Sequence, residues 1–275
     1  MINNKLKILV RGAGDLASGI IWFMNKAGFC VICLEIEKPS TIRRTVAFSE
    51  AVYNKSCNIE SVKCVLAQDI SEANIINDDG NVAILVDENC NCLNYYKPDV
   101  FVDCIMAKKN LGTTIDMANL VIGIGPGFTA KVDCHYSIET MRGHNLGHIY
   151  ADGSPLKNTG VPGLIAGHTK DRVIHSPSDG VLYSIKNISD IVKAGDDIAY
   201  ILEDNNNKVY IKATIDGVLR GLIRDKFNVF KGLKIADIDP RVSEKNNCFT
   251  ISDKARTIAG SVLLIINQYY NKYFK

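Results

Sequence analysis

The stretch Lys5–Ile36, KLKILVRGAGDLASGIIWFMNKAGFCVICLEI, decides the fold class. Lys5 to Val10 is a short apolar run of strand length. It breaks at Arg11-Gly12-Ala13-Gly14-Asp15. Leu16 to Ala27 then carries helical periodicity and closes on Gly28, a helix C-cap residue. Cys30 to Ile36 predicts a second strand, with Glu35 near its end. Strand, glycine turn, helix, strand and acid is the order of a dinucleotide-binding βαβ unit. The glycines are spaced G-x-G-x-x-x-x-G, so the third is displaced by two positions from the usual fingerprint. Gly12 and Gly14 still permit a tight turn and close approach to a phosphate. Glu35 follows Gly12 by 23 residues, near the offset of a ribose-binding acid. Two readings stay open: a nucleotide site, or a Rossmann-like scaffold that uses its strand ends for another ligand.

Further strands are predicted at Val62–Leu66, Val82–Val86 and Val100–Ile105, with a short helix over 71–76. Strands alternating with helices imply a parallel sheet whose ligand loops gather at the strand C-termini. Asp103 then shares an edge with Gly12, Glu35 and Gly125. Thr41 to Asn54 predicts a helix after Lys38-Pro39. Arg43 and Arg44 stand at its start, where the helix dipole disfavours cations. They are either held there for an anion or are a solvated pair.

The stretch Leu120–Gly147, LVIGIGPGFTAKVDCHYSIETMRGHNLG, is the predicted functional centre. A buried strand over 120–124 runs into Gly123, Gly125 and Gly127, which let backbone N–H groups approach a ligand. Val132 to Ile138 predicts another strand. It ends in Glu139-Thr140-Met141-Arg142-Gly143-His144-Asn145, a composition for binding rather than for a core. Ten of the 21 glycines lie between Gly123 and Gly180, and all five histidines between His135 and His175. None is placed like the pair of H-E-x-x-H, so no metal site is predicted. Cys134 and His144 are the catalytic candidates. Cys134 is either a reactive thiol or a small buried strand residue.

Of the 275 residues, 47% are hydrophobic and 23% charged, as in globular domains. The net charge of +2 leaves no broad basic surface, so nucleic acid is not an expected partner. No apolar run reaches the ~20 residues of a membrane span, and no membrane contact is expected. Nine cysteines without a signal-peptide pattern imply reduced thiols in the cytoplasm.

Ser178-Asp179-Gly180-Val181-Leu182 returns 37 residues later as Ile215-Asp216-Gly217-Val218-Leu219. Each copy is followed by a V-x-x-G segment, at Val192 and at Val229. The pattern resembles the barrel-sandwich hybrid of biotinyl and lipoyl domains. The hairpin at Glu203–Lys208 lacks their attachment motif, so no covalent biotin or lipoate is expected. Ser252 is a plausible N-cap for a mostly apolar tail helix that packs back on the body. The expected fold is thus α/β: a Rossmann-like parallel-sheet domain (1–168), a small β domain like a barrel-sandwich hybrid (169–246) and a C-terminal helical segment (247–275).

Four long motifs carry a resemblance over nearly the whole chain: VRGAGDLASGI at Val10, KPSTIRRTVAFSEAVY at Lys38, GIGPGFTAKVDCHYSIETMRGHNLG at Gly123 and GLKIADIDPR at Gly232. They resemble the YqeB-like accessory proteins of selenium-dependent molybdenum hydroxylases. The N-terminal part is similar to the Rossmann-like domain of xanthine dehydrogenase maturation factors. The resemblance implies a maturation role, with the hydroxylase as partner and the molybdenum cofactor, a small phosphorylated ligand, as cargo. For such a ligand, Gly12, Gly14, Gly125 and Gly127 offer backbone donors, and Arg43 and Arg142 offer phosphate pairing. Phe128 offers a stacking face. Asp15, Glu35, Asp103 and Asn145 complete the expected site. The alternative is an enzyme dependent on NAD(P) or another nucleotide. Whether catalysis occurs at all is left open.

Overall fold

A computed structural model describes residues 6–161 and 163–274; Lys5, the first residue of the expected opening strand, lies outside them. The chain divides into two units. The first comprises 1–39, 47–159 and 251–275, and the second 40–46 and 160–250.

In the first unit β1 (Lys7–Arg11), α1 (Asp15–Lys26) and β2 (Cys30–Glu35) form a strand–helix–strand unit. After it come α2 (Glu50–Asn54), β3 (Ser56–Ile59), β4 (Val62–Leu66), α3 (Ile70–Asp78) and β5 (Val82–Val86). Then follow β6 (Val100–Asp103), β7 (Leu120–Ile124), β8 (Tyr136–Ile138) and β9 (Ile149–Tyr150). The strands form one nine-stranded sheet, β3-β4-β5-β2-β1-β6-β7-β8-β9. Its middle is parallel, but β3 and β9 are antiparallel edges. The expected Rossmann-like parallel sheet is therefore corrected to a large mixed sheet. The connections from β5 to β8 are turns and loops without α-helices, so the alternation of strands and helices fails there.

Strand alternation splits the core into two layers. Ile8, Val10, Val102 and Ile122 pack on one face with α1. Leu9, Phe101 and Val121 pack on the other with α3. Asp69 caps α3 by accepting from Glu72 N at 2.9 Å, and Glu72 returns the bond to Gln68 N at 2.7 Å.

The helix expected over 41–54 shrinks to a 3-10 turn at Arg44–Val46 and the five residues of α2. Tertiary bonds take its backbone instead. Phe48 N donates to Ser18 Oγ at 2.8 Å and Ser49 N to Ala13 O at 2.9 Å. Residues 40–46 belong to the second unit, where Ile42 O accepts from Leu222 N at 2.9 Å.

The second unit holds β10 (Val173–His175), β11 (Gly180–Ser184), β12 (Ile191–Val192) and β13 (Asp197–Leu202). It continues with β14 (Lys208–Lys212), β15 (Gly217–Leu222), β16 (Asn228–Val229) and β17 (Lys234–Asp239). In place of the expected barrel-sandwich-hybrid-like domain stand two four-stranded antiparallel sheets, β10-β17-β15-β12 and β14-β13-β11-β16. The sequence repeat has a physical cause. Asp179 of the first copy accepts from Lys231 N at 2.7 Å, within the V-x-x-G segment of the second. Asp216 of the second accepts from Ala194 N at 2.8 Å, within that of the first. The adjacent glycines face a carbonyl: a Cβ on Gly180 would lie 2.5 Å from Leu202 O, and one on Gly217 2.2 Å from Asp239 O.

The last helix, α4 (Asp253–Tyr273), belongs to the first unit and lies on α1. Ser252 caps it by accepting from Ala255 N at 3.2 Å. A Cβ on Gly19 of α1 would stand 2.8 Å from Ala255 Cβ, so only glycine admits this approach. Among the described residues no helix is long and apolar enough to cross a membrane.

Two stability predictions follow from these contacts. Gly19→Val should cost about 1–3 kcal/mol in urea unfolding by forcing α1 and α4 apart; an unchanged midpoint would contradict the close packing. Asp239 accepts from Arg220 Nη1 at 2.6 Å and Arg241 Nη2 at 2.8 Å. Burial pushes its carboxyl up, but these guanidinium bonds outweigh burial and hold it at about 2. Its folded value lies below the unfolded 3.8, so its contribution is present above that pH and lost as pH falls through about 2. Asp239→Asn should thus cost about 2 kcal/mol at neutral pH, at about 1.4 kcal/mol per pH unit. The gap to the wild-type chain should close on acidification, and a pH-independent gap would count against the ion pairs.

Candidate functional site at the sheet carboxyl edge

Strand order places the ends of β2, β1, β6, β7 and β8 side by side. This brings Glu35, Gly12, Asp103, Gly125 and Glu139 to one edge. Most of the acids there are already engaged by the protein.

Glu35 turns back onto the glycine turn. Its Oε2 accepts from Ala13 N and its Oε1 from Ile36 N, both at 2.9 Å. Burial raises its carboxyl above the usual range, and the two backbone bonds only partly oppose that. A ribose-binding acid would present its carboxylate outward; this one occupies an N–H that a phosphate would use. Gly12 N is also taken, by Leu34 O at 2.8 Å. Gly14 is the N-cap of α1, and no side chain caps it.

Asp103 is fully buried. Its Oδ2 accepts from Thr113 Oγ1 at 2.5 Å and Arg11 Nη1 at 3.2 Å, and its Oδ1 from Ile105 N at 3.2 Å. Arg11 reaches on to Leu111 O at 3.1 Å, so the pair pins the loop after β6.

The predicted centre is largely a folded clasp. Gly125 N donates to Ile138 O at 2.9 Å, and Gly127 sits against the Lys109 backbone. Phe128 is buried with its ring over Gly123, which gives it a packing role. The strand expected over 132–138 is shortened because Asp133 holds a turn, accepting from Thr129 N at 2.8 Å and Asn110 Nδ2 at 3.1 Å. Cys134 is buried, and burial pushes its thiol up to about 11, so it is protonated at neutral pH. His144 and Asn145 are exposed, and Asn145 O accepts from His148 N at 2.8 Å. Arg43 lies in the second unit, buried, donating to Asn247 O and Thr250 O at 3.4 Å. Among the described residues no group of three or more His, Cys, Asp or Glu side chains could hold a metal ion.

Glu139 is buried and accepts from Met141 N at 2.7 Å and Leu156 N at 2.8 Å. The loop after it is fastened to α4. Arg142 makes a bidentate pair with Asp253, at 2.6 and 3.0 Å, and Ser261 Oγ donates to Gly147 O at 2.6 Å.

This fastening sets the group that sequence reasoning missed. Lys254 is in the first turn of α4 and half-buried. Burial lowers its ammonium below the ordinary value, and the Arg142 guanidinium adds to that. Asp15, Glu139 and Cys104 act in the opposite sense. Among the described residues Lys254 makes no hydrogen bond and no ion pair, so this cation is desolvated without a direct partner. Its sequence signal was available: a cation in a helix's first turn, the same signal that singled out Arg43 and Arg44.

No family model matches the chain. It is 48% identical over 256 residues to Uncharacterized protein YqeB of Escherichia coli (strain K12), a match covering 93% of this chain and 46% of that protein. The chain thus spans about half the length of the curated relative it matches, and the relative's name states no role. Similar solved structures include an aspartoacylase family protein from Mesorhizobium loti, with 12% identity, TM-score 0.28, and 85% of this chain and 84% of that one covered. A succinylglutamate desuccinylase from Silicibacter gives 13% identity, TM-score 0.27, and 86% and 85% coverage. The ectoine utilization protein EutE from Ruegeria pomeroyi gives 10%, 0.26, and 85% and 86%. Likenesses this weak carry no argument about fold or activity here. The name of the curated relative states no molybdenum hydroxylase maturation role. On that finding the expected assignment to hydroxylase accessory proteins, with its molybdenum and selenium role, is corrected to a resemblance without a stated role. Glu35, the acid expected at a ribose, here accepts from Ala13 N.

Lys254 makes a pH prediction. Its folded value lies below the unfolded 10.5, so between the two the unfolded chain binds more protons. Its contribution to stability is present above 10.5 and lost as pH falls through the folded value. Lys254→Met should match or exceed the wild-type chain in urea melts at pH 7, with the advantage shrinking toward pH 10.5. A variant less stable at pH 7 would mean that the ammonium is stably paired.

Proposed function

We propose that the chain binds a small anionic ligand, a phosphorylated or carboxylated metabolite, at the carboxyl edge of the nine-stranded sheet. One observation carries the reading: Lys254 is half-buried and makes no direct hydrogen bond or ion pair among the described residues, while two acids beside it are held by other groups. Glu139 is held by backbone N–H groups and Asp253 by Arg142. An anion beside Lys254 returns to the ammonium the partner that burial removed. The free end of α1 at Gly14 adds the positive pole of a helix. The glycine turn itself is not the cradle, because Glu35 fills it. The reducing cytoplasm is the proposed setting, supported by nine free thiols.

Thermal unfolding with inorganic phosphate, a sugar phosphate, a dicarboxylate and AMP, each at high millimolar concentration, tests the reading. A ligand at 100 times its Kd stabilises by about 2.7 kcal/mol. At least one anion should raise the melting temperature of the wild-type chain, and Lys254→Met should lose that rise. No rise with any anion, or an equal rise in the variant, overturns it.

A further inference from the structure

We propose that Cys57 and Cys64 are an oxidation site, closing a reversible disulfide across the edge hairpin of the nine-stranded sheet when the chain meets a small disulfide such as glutathione disulfide. The inference is independent of the anion site above and starts from strand register. β3 and β4 are antiparallel, and Cys57 stands directly opposite Cys64. Two residues further along the same pair of strands, Leu66 N donates to Lys55 O at 2.8 Å. Hydrogen-bonded and non-hydrogen-bonded pairs alternate along such a ladder, so Cys57 and Cys64 form a hydrogen-bonded pair with Cα atoms about 5.5 Å apart. Disulfides span Cα separations of about 4.4–6.8 Å. Facing residues of a ladder also project their side chains on one face of the sheet. Among the described residues no other two thiols oppose each other in a strand pair.

A third thiol lies close and is excluded by the same geometry. Cys64 is hydrogen-bonded to Cys33 of β2, whose Sγ donates to Ala83 O at 3.2 Å. Yet β5 lies between β2 and β4. Two strand spacings put those backbones about 10 Å apart. Beyond about 7 Å no disulfide forms without backbone movement. Cys33 is therefore a neighbour of the pair and not a member of it.

Access favours the pair as well. β3 is an edge strand of four residues, paired on one side only, so it is free to shift toward β4 as the bridge closes. Cys57 is half-buried, whereas Cys33 and Cys64 are buried, so a reagent enters at Cys57. The Cys57 thiol donates to Phe48 O at 3.6 Å, a bond that oxidation removes. Burial pushes this thiol up to about 12, so its thiolate is scarce at neutral pH and closure is slow. The Cys57 thiolate attacks one sulfur of glutathione disulfide; the reagent's S–S bond breaks and glutathione leaves with the Cys57 proton. Cys64 Sγ then attacks the Cys57 sulfur of the mixed disulfide, and a second glutathione leaves with the Cys64 proton. In sum, two thiols and one glutathione disulfide give one protein disulfide and two glutathione thiols. The cysteines lose two electrons and the reagent gains them.

Equilibration of the full chain in mixtures of reduced and oxidised glutathione tests this. Free thiols are alkylated, and peptide mass spectrometry without reductant reads the bridges. As the oxidised share rises, a Cys57–Cys64 linked peptide should appear. It should exceed the Cys57–glutathione adduct by about tenfold or more, because the second thiol is held beside the first. Dithiothreitol should reverse it. Cys33→Ser should leave the linked peptide in place, and Cys57→Ser should remove it and leave Cys64 alkylated. Glutathione on Cys57 without the link, a Cys33–Cys64 link, or both thiols still reduced at the most oxidised equilibrium overturns the inference.

Discussion

The approach of α4 to α1 is the constraint on which the rest of the first unit depends. It is possible because residue 19 has no side chain where Ala255 arrives. A second glycine, Gly147, receives the same helix on its other flank, where Ser261 holds its carbonyl. Between these contacts the start of α4 reaches the carboxyl edge of the sheet. Lys254 is there because of where the helix lies, and the clasp from Glu139 to Gly147 is fastened to the same helix at Asp253 and Ser261. The burial of one cation is thus a product of backbone packing.

The acids of this edge explain why the cation is distinctive. In many parallel sheets the carboxylates at strand ends face a ligand. Here Glu35 satisfies the glycine turn, Asp103 holds the loop after β6 through Arg11 and Thr113, and Glu139 holds its own loop. Each carboxylate is thus used to order a turn or loop of the protein itself.

Much of the local structure was legible in the sequence. Strands at 82–86 and 120–124 occupy the residues that their apolar runs mark, because buried central strands leave a continuous signal, and the strand at 62–66 is marked by its own short apolar run beside the sheet edge. The repeated Asp-Gly motif foretold a repeated structural role, though not the two antiparallel sheets in which it serves. The helix over 41–54 was illegible because its first residues belong to a different unit, and no local pattern records that. The antiparallel edges were missed because β9 has two residues and β3 four, too short to show a period. At the site, Glu35 stood at the expected offset but faces the wrong way, since spacing fixes a residue's place and not its hydrogen-bond partner. Lys254 escaped because its environment is assembled from segments more than a hundred residues away in sequence.

The same separation bears on how the molecule folds. Contacts between residues near 19 and 255 close a very long loop, and such closures come late because their entropy is lost before any contact repays it. The α1–α4 contact therefore carries a closure cost that grows with the length of chain between residues 19 and 255.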